Sequence, residues 1–172
     1  MSSSSSEIQF DSSQPSLVDP STSKHVALYV TSRDIASRVE DRLQVHNIGT
    51  VVNVSDTDTP KEIQAQYATA TPPIRYFFFP MDDDLFQRID EIGARIFALA
   101  QINSSADDGR GILLHCRSGI SRSPAVAAVV MLHRHYPRMD AASVMAHIQT
   151  VRPIAEPNDN FREQLDRLCK TL

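Results

Sequence analysis

The chain has 172 residues, 41 % of them hydrophobic and 22 % charged, and carries a net charge of −4. That is enough for one domain with a substantial core, and an acidic balance with scattered lysines and arginines argues against nucleic acid or an anionic membrane as the main partner. Two cysteines, Cys116 and Cys169, are too few for a disulfide framework and suit a reducing compartment, while the longest wholly apolar run, Ala125 to Leu132, is too short for a transmembrane segment.

Residues 1–24 hold ten serines, three acids and few apolar side chains, so they cannot bury enough surface to offset their ordering entropy. A disordered Ser-rich tail is expected there, with a single domain over 25–172. His25 to Thr31 has the composition of a strand, and Ser32 to His46 places Ile35, Val39 and Leu43 on one face of a helix that Gly49 would stop. Thr50 to Val54 is a β-branched strand interrupted by Asn53, which needs a hydrogen-bond partner if buried. Strand, helix, strand in this order implies a parallel pair.

A surface excursion with a short helical piece near Lys61 to Tyr67 comes next. Arg75 to Phe79 is a dense aromatic strand ending at Pro80, and Leu85, Ile89, Ile92, Ile96 and Leu99 lie on one face of a helix running to about Asn103. Asp82, Asp83 and Asp84 therefore sit between a strand end and a helix start, where acids favour the positive end of the helix. One of them is also placed to act as a general acid.

The apolar run Gly111 to Leu114 reads as a buried strand, and Pro124 to Leu132 as a helix apolar on every side. Between them lies His115-Cys116-Arg117-Ser118-Gly119-Ile120-Ser121-Arg122-Ser123, a strand-to-helix turn. The first amides of a helix have no partner within it, and the peptide dipoles concentrate about half a positive charge there, so such a turn binds anions. The same amides stabilise a thiolate at Cys116, Gly119 permits the tight fold, and Arg122 can close over the anion. Pro124 fits just inside a helix start with Ser123 as its cap. A metal site fits less well, because His115 and Cys116 are adjacent and His133 with His135 lacks a third ligand.

After a break at Tyr136-Pro137, Asp140 can cap a helix over Ala141 to Val151, and Glu156-Pro157-Asn158 leads to a last helix burying Phe161, Leu165 and Leu168. Cys169 is the fourth residue from the end, but Lys170 and Thr171 are not aliphatic and no basic stretch precedes it, so prenylation is not expected. The amino terminus lacks a leader pattern. A soluble protein of the cytoplasm, or of the nucleus as well, is the expectation.

Cys then five residues then Arg-Ser, preceded by His, resembles the signature of the cysteine-based protein tyrosine phosphatases. The Gly-Ile-Ser-Arg-Ser ending is similar to the small, atypical dual-specificity branch, and the likeness extends from about Val26 to Leu168. It implies an α/β, phosphatase-type fold with a central, twisted, mostly parallel sheet of about five strands flanked by helices. It also implies hydrolysis of phosphotyrosine, and of phosphoserine and phosphothreonine, on phosphoprotein substrates, with no metal or other cofactor. The resemblance makes Cys116 the nucleophile, with Arg122 and the amides of Arg117, Ser118, Gly119, Ile120 and Ser121 holding the phosphate. Ser123 would donate to Cys116, and His115 would position it. In the family the acid lies three residues after a strand-ending proline and about thirty before the cysteine, which selects Asp83 ahead of Asp82 and Asp84. A non-protein substrate, such as a phosphoinositide or an RNA 5′ triphosphate, and a phosphoprotein-binding module without turnover are the competing readings. Lipid-directed relatives tend to carry lysines in the loop, and this one has none.

Overall fold

The computed structural model describes residues 10–22, 24–106 and 109–172. Five strands, β1 (Ser16–Asp19), β2 (Leu28–Ser32), β3 (Ile48–Asn53), β4 (Arg75–Phe78) and β5 (Gly111–Cys116), form one sheet in the order β1-β2-β5-β3-β4. β1 runs antiparallel to β2, and every other neighbour is parallel. The fold is the α/β arrangement with a mostly parallel, helix-flanked sheet. β5 is central and buried throughout, as its unbroken apolar run requires.

Alternation along the strands builds two cores. Ile112, Leu114 and Cys116 of β5 face the larger one, beneath α3 (Asp90–Ala106), α4 (Arg122–His135), α5 (Ala141–Val151) and α6 (Asp159–Cys169). Leu113 points the other way, into a smaller core with Val51, Tyr67 and Ile74 under α1 (Arg33–Ala36) and α2 (Lys61–Thr69). From Arg122 to Leu132 every residue of α4 is buried, which is why its sequence is apolar on all sides. Cys169, in the last turn of α6, packs against the larger core.

Four expectations change. The stretch assigned to a disordered tail contains β1, whose Val18 is fully buried and whose buried Asp19 accepts from Arg134 Nη1 at 2.8 Å and pairs with His135 Nε2 at 3.1 Å; residues 1–9 and 23 lie outside the described residues. The helix expected over 32–46 is broken into α1 and a wide π turn at Val39–Gln44, because the buried Tyr67 hydroxyl donates to Ala36 O at 2.7 Å and takes the carbonyl that would continue the helix. Gly49 does not stop it: Asn47, at φ 55°, makes the turn, and Gly49 lies inside β3. The helix after β4 begins at Asp90 rather than just after the acids, so five residues, 85–89, separate the two. No helix among the described residues is long and apolar enough to cross a membrane.

Candidate active site

β5 ends at Cys116 and α4 begins at Arg122, so the five residues between them must reverse the chain at the carboxyl end of the central strand. That is where ligands bind in open α/β sheets. The turn is held from outside through its carbonyls. Arg117 O accepts from Arg33 N at 3.1 Å, Ser118 O and Gly119 O accept from Arg152 Nη2 and Nε at 3.3 and 2.6 Å, and Ile120 O accepts from Glu156 N at 2.7 Å. In a planar trans peptide the C=O and the following N–H point in opposite directions, so four carbonyls turned outward turn the amides of Ser118 to Ser121 inward. Gly119 adopts φ +69°, and a Cβ there would lie 2.6 Å from Thr31 O, so the position requires glycine.

Cys116 is buried with its Sγ at the focus of this ring. Gly119 N donates to Sγ at 3.3 Å, and Ser123 Oγ reaches it at 3.3 Å. Ser123 is the second residue of α4 rather than its cap; Ser121 occupies the cap position. His115 Nδ1 donates to Cys116 O at 3.3 Å, and its Nε2 is buried without a partner. Burial takes its pKa from 6.5 down to about 4 and keeps the ring neutral.

Arg122 is fixed by one corner of its fork. Nη1 donates to Asp56 Oδ1 and Met81 O, both at 3.0 Å, while the buried Nε makes no hydrogen bond. The Nε–Nη2 edge is the one that meets two oxygens of an oxyanion. The Arg122 guanidinium in turn holds the Asp56 carboxyl below its ordinary range. Asp56 comes from the turn after β3, and the buried Asn53 organises that turn: its Oδ1 accepts from Ser55 N and Oγ, and its Nδ2 donates to Thr57 O.

The three acids have separate surroundings. Asp83 Oδ1 accepts from Ser121 Oγ at 2.6 Å and Asn158 Nδ2 at 2.9 Å, and its Oδ2 lies 3.9 Å from Arg122 Nε. Asp84 Oδ1 caps the turn of its own loop through the N–H groups of Phe86 and Gln87, and Asp82 is exposed. Only Asp83 is brought to the signature turn. The residues of the turn, Asp83, Ser123 and His115 thus converge on Cys116 and Arg122. Sequence reasoning missed Asp56, Arg152 and Asn158 as parts of this site. The signal for Arg152 was a lone cation ahead of Pro153, and for Asn158 a capping residue after Pro157. Asp56 carried none.

Residues 28–170 match the family described as dual specificity phosphatase, catalytic domain. Mouse dual specificity phosphatase 28 is 34 % identical over 73 residues, 42 % of this chain and 44 % of the relative. A probable dual specificity protein phosphatase of Dictyostelium discoideum is 26 % identical over 153 residues, 86 % of this chain and 63 % of the relative. The match spans less than half the length of the first curated relatives. Among solved structures, a point variant of human DUSP28 superposes with a TM-score of 0.73 at 24 % identity, over 92 % of this chain and 95 % of that one. The human tyrosine phosphatase-like serine/threonine/tyrosine-interacting protein does so with a TM-score of 0.70 at 21 % identity, over 92 % and 97 %.

Proposed function

The chain belongs to the dual specificity phosphatase catalytic domain family, and from that premise we propose that it hydrolyses phosphotyrosine, and phosphoserine and phosphothreonine, on proteins through a phosphocysteine intermediate. The reading rests chiefly on one observation: Cys116 Sγ sits inside a turn whose carbonyls are all bonded away from it.

The Cys116 thiolate attacks phosphorus, and the S–P bond forms as the P–O bond to the leaving group breaks. The inward amides and the free edge of Arg122 hold the equatorial oxygens as charge redistributes. Ser121 and Asn158 both donate to Asp83 Oδ1, so the proton of the acid resides on Oδ2, beside Arg122, and passes to the leaving oxygen. The resulting carboxylate then takes a proton from water, which attacks phosphorus. Sulfur departs as thiolate, eased by the Ser123 hydroxyl, and phosphate is released.

Release of phenol from an aryl phosphate by the full chain, abolished by Cys116→Ser, is the expected result. Intact phosphopeptide binding with no turnover would instead make the chain a binding module. Preference for a phosphoinositide over phosphotyrosine and phosphothreonine peptides would overturn the protein-substrate assignment.

A further inference from the structure

Arg152 is 2 % exposed, and no carboxylate among the described residues pairs with it. A buried guanidinium with no carboxylate beside it relies on hydrogen bonds to offset its desolvation. Nε and Nη2 donate to the phosphate turn, and Nη1 donates to Ser16 Oγ of β1 at 3.2 Å. The Phe10 ring lies against the other side, 5.7 Å from Arg152 Cζ. The stretch leading from Phe10 to β1 is itself tied down, since Ser13 O accepts from Arg42 Nε at 2.7 Å. Burial lowers the pKa of Arg152, and the electrostatic interaction with nearby Cys116 works against that shift.

We propose that the segment from Phe10 to Asp19 is a working part of the phosphate site: Ser16 and Phe10 hold the Arg152 guanidinium, and Arg152 holds the Ser118 and Gly119 carbonyls outward so that the amides of Gly119 and Ile120 face the phosphoryl group. Arg152 and Ser16 are positioning residues. They act through the turn and touch no reacting atom. In its kinetic arm the proposal rests on the phosphatase reading; in its binding arm it needs only an oxyanion.

The test uses the full chain and inorganic phosphate. Affinity for phosphate is measured by calorimetry, kcat and KM on an aryl phosphate, and the fraction of alkylatable Cys116 with iodoacetate. Loss of one hydrogen bond to a charged group weakens phosphate binding and raises KM in Ser16→Ala by about three- to tenfold, with the alkylatable fraction unchanged although the melting temperature falls, because Nη1 is left buried without its partner. Ser16→Thr, which keeps the hydroxyl, restores both constants. In an Arg152→Lys background the further effect of Ser16→Ala falls away, because the two act as one unit. Unchanged phosphate affinity and KM in Ser16→Ala would overturn the proposal, as would independent, multiplying effects of the two substitutions. A loss confined to the alkylatable fraction would reduce the segment to a folding role and overturn it too. Should the wild-type chain fail to turn over the aryl phosphate, the phosphatase reading falls, while the phosphate titration still decides this one.

Discussion

Asp83 and its two neighbours differ in what their carboxylates touch, and that difference fixes an order of effects. Of the three carboxylates that of Asp83 alone reaches Ser121 and Asn158, whereas the Asp84 carboxylate is spent on the N–H groups of its own loop. Asp83→Ala is expected to slow aryl phosphate cleavage by about a hundredfold or more, the usual worth of a general acid. Asp82→Ala and Asp84→Ala should fall well short of that in the same steady-state assay; equal losses would move the acid elsewhere. His115 carries a pH signature of its own. In the folded chain it titrates near 4, against 6.5 for an ordinary histidine, so the unfolded chain binds the extra proton between those values. Its contribution to stability is complete above pH 6.5 and is lost as pH falls toward 4, by up to about 3 kcal/mol. Urea unfolding at pH 7 and pH 4.5 should show a smaller difference for His115→Asn than for the wild type. The signature was legible at this scale because its nine residues are contiguous and each type answers to one local need. Asp56, Arg152 and Asn158 lie far from Cys116 in sequence and reach the turn only once the sheet and helices have packed, so no local pattern announces them.

At the scale of elements, periodicity located most strands and helices, and failed where a distant group competes for a backbone atom. The spacing of Ile35, Val39 and Leu43 suits a continuous helix. It does not reveal that Tyr67, from α2, donates to the Ala36 carbonyl in the middle of it. The chain between β4 and α3 shows the reverse: Leu85 matches the helical period, yet it and Phe86 lie exposed on the loop while Asn160 Nδ2 and Gln164 Nε2 of α6 both donate to Gln87 O. Close approach of α3 and α4 depends on Gly93, where an added Cβ would collide with Cγ1 and Cβ of Val129. Alanine is the better helix former by up to about 1 kcal/mol. Overpacking of this severity costs more, so Gly93→Ala should lower stability by a net amount of about 1–2 kcal/mol in chemical denaturation. Adding Val129→Ala to that variant should recover part of the loss, since it removes the branched methyls that crowd the site.

Over the whole molecule, the mostly parallel sheet follows from strand and helix alternation, and the site follows from β5 being central. The amino-terminal boundary was the part that composition misjudged. Serine content describes how the segment meets water, but β1 is retained by one buried valine and by Asp19 with Arg134 and His135, contributions that a composition window averages away. Burying Val18 alone is worth about 2 kcal/mol. We therefore place the start of the catalytic unit within residues 10–19 rather than at His25. β1 has one more effect, on solubility. Without it, β2 would become the border of the sheet and leave a row of unmatched N–H and C=O groups beside Leu28 and Val30, open to annealing with the same row on another molecule. A chain beginning at Lys24 is thus expected to self-associate, seen as rising light scattering with concentration where the full chain stays monodisperse. In this fold, four residues of a serine-rich leader stand guard over the colloidal behaviour of the rest.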